Sequence, residues 1–221
     1  MKSGLAGGPS REHGPHILLT GATGFLGRFL LRDLLLAGHR VAVLTRPKGP
    51  NSARKRIRRL IDDWRALGYD LDAPLIIEGS LDRPDLGRLD SATDRWPEID
   101  RVLHNAGSVL FTADPVTGEP FRTNVTGTEN LLAWSRRHGV RAFHHVSSAY
   151  VSGNRTGVIL ESDLDRGQAF KNPYERSKLE AEQRVREAKG IDTTIYRPSI
   201  IVGDRASEAA PGVRGLALAM R

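Results

Sequence analysis

The stretch His16-Ile-Leu-Leu-Thr-Gly-Ala-Thr-Gly-Phe-Leu-Gly-Arg28 decides the fold. Ile17 to Thr20 is a short apolar run that reads as a buried strand, and the residues from Phe25 onward open an amphipathic helix. Between them stand Gly21, Gly24 and Gly27. A strand that turns straight into a helix aims first-turn N–H groups, which lack intrahelical partners, at one point, and that point attracts phosphate. Gly21 is expected to make the tight turn, Gly24 to let a pyrophosphate reach the backbone, and Gly27 to let the helix pack closely on the sheet. The first gap is one residue longer than in the usual dinucleotide fingerprint, and a glycine triplet alone suits an ordinary turn as well as a cofactor site.

Beyond the turn, Leu26, Leu30, Leu31, Leu34 and Leu35 share a helix face that Gly38 ends, and Val41 to Leu44 predicts a second buried strand. Where that strand ends, an acid would hold the ribose 2′-hydroxyl of NAD; here stand Thr45, Arg46 and Lys48. A guanidinium at that place matches a 2′-phosphate in shape and charge, which favours NADP, with Arg28 as a second candidate. The plain alternative for Arg46 is a loop arginine with no ligand.

Further strands are predicted at Leu75–Ile77, Val102–His104, Ala142–Val146 and Thr193–Tyr196. Helices are predicted from Phe121 to His138 and from Asn172-Pro173 to near Gly190. Six strands alternating with helices give an α/β fold, a doubly wound parallel sheet of Rossmann type, order 3-2-1-4-5-6, with helices on both faces. Asn105-Ala106-Gly107 follows the fourth strand, where small residues let the backbone line a cofactor cleft.

Composition narrows the function classes. A chain of 221 residues, 39% hydrophobic and 27% charged, suits one soluble domain. No apolar run approaches the ~20 residues of a membrane span. Residues 1–15 read as a flexible tail without the apolar core of a signal peptide, so a cytoplasmic protein is expected. The absence of cysteine excludes disulfides, thiolate nucleophiles and cysteine-held metals. A net charge of +7 permits nucleic-acid binding. Much of it, however, lies in Arg54, Lys55, Arg56, Arg58 and Arg59, threaded by Ile57, Leu60, Ile61 and Trp64 at helical spacing, which reads as the solvated face of an amphipathic helix. No nucleic-acid partner is expected. His144 and His145 point to opposite faces of a strand, and no metal site is expected.

Tyr174 and Lys178, four apart on a predicted helix, share one face, and an ammonium so close is expected to lower the phenol's pKa and make it a usable acid. Alone, such a pair is a common surface pair. Here it follows a strand ending in Ser147-Ser148, on a fold whose ligands bind at the carboxyl ends of strands.

The motifs TGATGFLG, HNAG, NVTGTENLL, HVSSAYVSG, YERSK and YRPSIIVGD occur in the order found in the extended short-chain dehydrogenase/reductases. The chain most resembles the branch holding fatty acyl-CoA reductases and thioester reductase domains of carboxylic acid reductases and nonribosomal peptide synthetases. The resemblance spans about Ile17 to Asp204. It implies that Tyr174 is the proton donor, that Lys178 binds the nicotinamide ribose, that Ser148 orients the substrate carbonyl and that Asn124 supports them. The cofactor-binding set is expected to comprise Gly21, Thr23, Gly24, Phe25, Leu26, Gly27, Arg28, Arg46, Asn105, Ala106, Gly107, Tyr174, Lys178 and Pro198. The implied activity is NADPH-dependent reduction of an acyl thioester, on coenzyme A or a carrier protein, to an aldehyde or alcohol; a homodimer is compatible with it.

Two departures stand out. Gly79-Ser80 replaces the usual Gly-Asp near the adenine. Relatives also continue past the sixth strand into a substrate domain that this chain is expected largely to lack, with 16–204 the dinucleotide domain, 205–221 a remnant, and at most one short helix at 211–220. A sugar epimerase, dehydratase or alcohol-type dehydrogenase, and a non-catalytic dinucleotide-binding module, are the alternative readings.

Overall fold

The computed structural model describes residues 14–47, 49–87 and 96–202. Most of the expected N-terminal tail, Lys48 and the expected C-terminal remnant with its short helix lie outside the described residues. The strands are β1 (His16–Thr20), β2 (Val41–Thr45), β3 (Leu75–Glu78), β4 (Ile99–His104), β5 (Ala142–Val146) and β6 (Asp192–Tyr196). The helices are α1 (Phe25–Leu36), α2 (Ala53–Ala66), α3 (Gly127–Arg137) and α4 (Pro173–Arg186). The strands form one parallel sheet in the order β3-β2-β1-β4-β5-β6, with Leu18 level with both Ala42 and Val102.

Alternation along the strands divides the core between two faces. Leu18, Ala42, Val102 and Phe143 pack with Leu131, Trp134 and Val185 from α3 and α4. Leu19, Val43 and Leu103 face Leu31, Leu35, Ile57 and Trp64 from α1 and α2. Leu103 is partly buried; each of the other leucine, isoleucine and phenylalanine side chains named here is buried and stabilises the fold by about 2 kcal/mol. The result carries the ends of β1, β2, β4 and β5, and all the loops that follow them, to one edge.

Three elements differ from the sequence reading by more than one residue. β4 begins at Ile99 because Asp100 and Arg101 sit at its outer end, where Asp100 receives the Arg141 guanidinium at 2.7 Å and needs no apolar surroundings. α4 stops at Arg186, and the chain then turns through Gly190 at φ +77°. The single helix expected from Phe121 to His138 is two pieces, a π-helical turn at Arg122–Thr126 and then α3. Gly127 N–H donates to Arg122 O, five residues back, so the chain is wound wider there than an α-helix.

Candidate active site

The glycine turn is built against the loop after β4. Gly21 lies at φ +71°, and a Cβ on it would come 2.6 Å from Ala106 N. A Cβ on Gly27 would overlap Gly21 O and approach Asn105 Nδ2 at 2.8 Å. The third glycine is therefore demanded by the turn itself and the β4 loop. Gly24 is exposed and would meet only Gly21 O, at 3.2 Å, which leaves its outer side open. α1 carries no side-chain cap and no acid in its first turn, so the N–H groups at Phe25, Leu26 and Gly27 keep the partial positive charge that suits a diphosphate.

At the end of β2, Arg46 is exposed, and α2 brings a second cation to it. Arg56 donates to Arg46 O at 2.8 Å and to Thr23 Oγ1 at 2.6 Å. Burial, and then the charge of Arg46, hold the Arg56 pKa below its usual value. The two arginines thus stand together beside the glycine turn. The sequence reading assigned Arg56 to a solvated face; the available signal was its place one residue before buried Ile57, at the margin of the polar face. Arg28 is elsewhere. Its guanidinium lies 4.7 Å from the centre of the Phe29 ring and 6.0 Å from that of Trp64, so Arg56 rather than Arg28 joins Arg46 beside the turn.

The reactive end is organised by α4. Asn172 caps it by accepting from Glu175 N at 3.0 Å, Pro173 opens it, and Glu175 accepts in return from Lys171 N at 3.0 Å. This reciprocal cap fixes the first turn, on which Tyr174 stands. Ser148, buried after β5, stands beside the Tyr174 phenol and favours its ionised form, and the Phe111 ring lies 5.8 Å from the tyrosine ring. One turn along, buried Lys178 donates from Nζ to Val146 O at 2.7 Å. Burial pushes its pKa down to about 8, against the opposing pull of Glu182.

The direction expected for Tyr174 is reversed. Burial raises its pKa, and the neighbouring Ser148 hydroxyl offsets this only in part. The lysine ammonium donates to the Val146 carbonyl, and desolvation of the phenol sets the direction.

Asn124, in the π-helical turn, accepts from Ser108 N at 2.7 Å and donates to Ser108 O at 3.0 Å and to Ser177 Oγ at 2.8 Å. It thus ties the β4 loop to α4. Asn105 donates to Gly21 O at 3.3 Å, Gly107 is exposed beside Asn124 Oδ1, and Pro198 O accepts from Ala149 N, the residue after Ser148, at 2.9 Å. The sequence reading missed Glu182. It is fully buried, and it accepts from Ser147 Oγ at 2.8 Å and from the guanidiniums of Arg186 and Arg197, which anchors the end of β5 to α4.

With this geometry in place, the relatives can be read. Residues 19–220 match the family described as male sterility protein, an NAD-binding family. The chain belongs to this family. It is 30% identical to fatty acyl-CoA reductase 1 of Gallus gallus, over 92% of this chain and 46% of that protein. Among solved structures it is similar to the terminal R domain from the myxalamid PKS-NRPS biosynthetic pathway, with 32% identity, a TM-score of 0.70, and coverage of 86% of this chain and 50% of that one. It is also similar to a thiolation-reductase di-domain from an archaeal non-ribosomal peptide synthetase, with 26% identity, a TM-score of 0.68, and coverage of 84% and 41%. The chain spans about half or less of each of these relatives. The matched family is an NAD-binding one, and the chain carries the same fold as these two solved neighbours. No helix among the described residues is long and apolar enough to cross a membrane.

Proposed function

We propose that the protein reduces an acyl thioester, carried on coenzyme A or on a carrier protein, with NADPH as the reductant. The convergence of Ser148, Tyr174 and Lys178 at the sheet edge that also carries the glycine turn supports this reading. The residues present fit the cofactor: the open side of Gly24 and the uncapped start of α1 would hold its diphosphate, and Arg46 with Arg56 its 2′-phosphate. When bound, NADPH supplies the hydride.

Ser148 and Tyr174 hold the thioester oxygen and stabilise the negative charge that develops on it. Tyr174 passes its phenolic proton to that oxygen, and the Lys178 ammonium favours the phenolate left behind. The resulting hemithioacetal loses its thiol to give an aldehyde, and a second round gives an alcohol.

Fluorescence titration with NADPH and NADH, followed by NADPH-oxidation assays on acyl-CoA and carrier-bound acyl substrates, tests the proposal. Tighter binding of NADH, or turnover of nucleotide sugars in place of thioesters, overturns it. For the phosphate-facing pair, Arg46→Ala weakens NADPH by about tenfold to a hundredfold, the worth of one or two charge-assisted bonds, and leaves NADH within about twofold. An equal loss for both cofactors removes the 2′-phosphate role.

A further inference from the structure

His104 closes β4 with no exposed surface, and both of its ring nitrogens have partners. Its Nδ1 lies 2.8 Å from Thr20 Oγ1, and its Nε2 lies 2.9 Å from Thr128 Oγ1. The direction of each bond follows from the ends. Thr128 Oγ1 is 2.6 Å from Asn124 O, a carbonyl that only accepts, so the threonine proton is spent there. Thr128 must then accept from His104, which puts the ring proton on Nε2. A neutral ring leaves Nδ1 bare, so Thr20 donates to it, and the Thr20 oxygen accepts in turn from Ala106 N at 3.1 Å. The ring is kept neutral by its burial and by the Lys178 charge, and the His145 ring stands 5.2 Å away, also buried.

Every bond in this series therefore points one way: Ala106 to Thr20, Thr20 to His104, His104 to Thr128, Thr128 to Asn124. Asn124 continues it by donating to Ser177 Oγ, which donates to Tyr174 O at 2.8 Å. One end lies at the glycine turn and the β4 loop, where Thr20 precedes Gly21. The other lies on the backbone of the residue that carries the phenol. Bonds in such a series polarise one another, so a fault at the centre weakens all of them.

We infer that His104 is a positioning residue: locked as the Nε2–H tautomer between Thr20 and Thr128, it sets the spacing between the dinucleotide mouth and Tyr174. The catalytic part of this inference rests on the proposed reductase activity; the tautomer does not.

The test has two arms on the full chain. Long-range ¹H–¹⁵N correlation spectra, with His104 assigned by the signals missing from His104→Phe, are expected to show an acceptor-type Nδ1 and a protonated Nε2 at pH 7. An Nδ1–H tautomer, or rapid averaging of the two, overturns the inference whether or not NADPH binds. In the kinetic arm, His104→Phe lowers kcat and weakens NADPH by about tenfold each, as expected from loss of one or two buried hydrogen bonds, with the thioester KM within about twofold. His104→Gln, whose amide carries an acceptor and a donor at similar spacing, is expected to recover most of the loss. Wild-type kcat and NADPH affinity in His104→Phe overturn the positioning role. Should that variant not fold, Thr128→Val, which cuts the series at its next member and keeps the shape, is expected to show the same kcat loss and an averaged tautomer, and a wild-type kcat there counts against the role equally. A wild-type chain that binds no NADPH removes the reductase reading and leaves the tautomer to be decided by the spectra.

Discussion

Tyr174→Phe lowers turnover of an acyl thioester by about a thousandfold, the range for loss of a positioned general acid, while NADPH affinity changes by no more than about threefold. The substitution keeps the ring against Phe111 and removes only the hydroxyl that meets Ser148. Because the proton leaves from the phenol itself, no neighbour replaces it: the Ser148 hydroxyl is a far weaker acid, and the Lys178 ammonium is turned to Val146 O. The pH profile carries the same information. Lys178 titrates near pH 8, and its charged form assists the phenolate, so the rate declines above about pH 8. Single-turnover reduction measured from pH 6 to pH 10 on the wild type and on Tyr174→Phe reads both effects. A variant with more than a tenth of wild-type turnover removes the assigned acid.

The second large effect is a loss of stability in mild acid. His104 is buried with its pKa pushed down to about 3, and His145 beside it is also buried and held well below the usual histidine range by burial, Lys178 and His104. In the unfolded chain both rings take a proton as the pH falls through about 6.5. The unfolded state thus binds more protons, and stability drops as the pH falls below that value, down to the folded-state pKa. His104 alone removes about 2 kcal/mol between pH 7 and pH 5, a large share of the 5–15 kcal/mol typical of a domain. His145 acts in the same direction. Urea midpoints at pH 7, 6 and 5 are expected to fall steadily, with a shallower fall in His104→Phe. Equal midpoints at pH 7 and pH 5 contradict the assignment of two neutral buried rings.

The sheet order was legible because most of the strands carry a short apolar run, β1, β3 and β5 being followed by glycine or serine, and the strand-and-helix alternation leaves few ways to connect them. The site was legible where chemistry and spacing coincide: Gly21, Ser148, Tyr174 and Lys178 all stand at the strand edge that the sequence implied. What stayed hidden depends on long-range contacts. Arg56 looks like its neighbours Arg54 and Arg58 until the fold brings Thr23 and the end of β2 to it. Glu182 reads as one more surface acid on a charged helix, yet Ser147 after β5, Arg186 at the end of α4 and Arg197 after β6 converge on it. The raised pKa of Tyr174 was missed because helical spacing places Lys178 on its face but says nothing of where the amine points. The break in the helix near Asn124 was missed because apolar periodicity is too coarse to register one extra residue in a turn.

That extra residue has a lasting effect on how the chain tolerates change. A regular helix advances about 100° per residue, so winding Arg122–Thr126 one residue wider shifts the phase of everything around it by that amount. Asn124 meets Ser108 and Ser177 while Leu131 and Trp134 meet the core, and only this offset satisfies both demands. Excising a single residue there would yield a smoother, more uniform helix and a chain able to keep its core or its asparagine clamp, but not the two together.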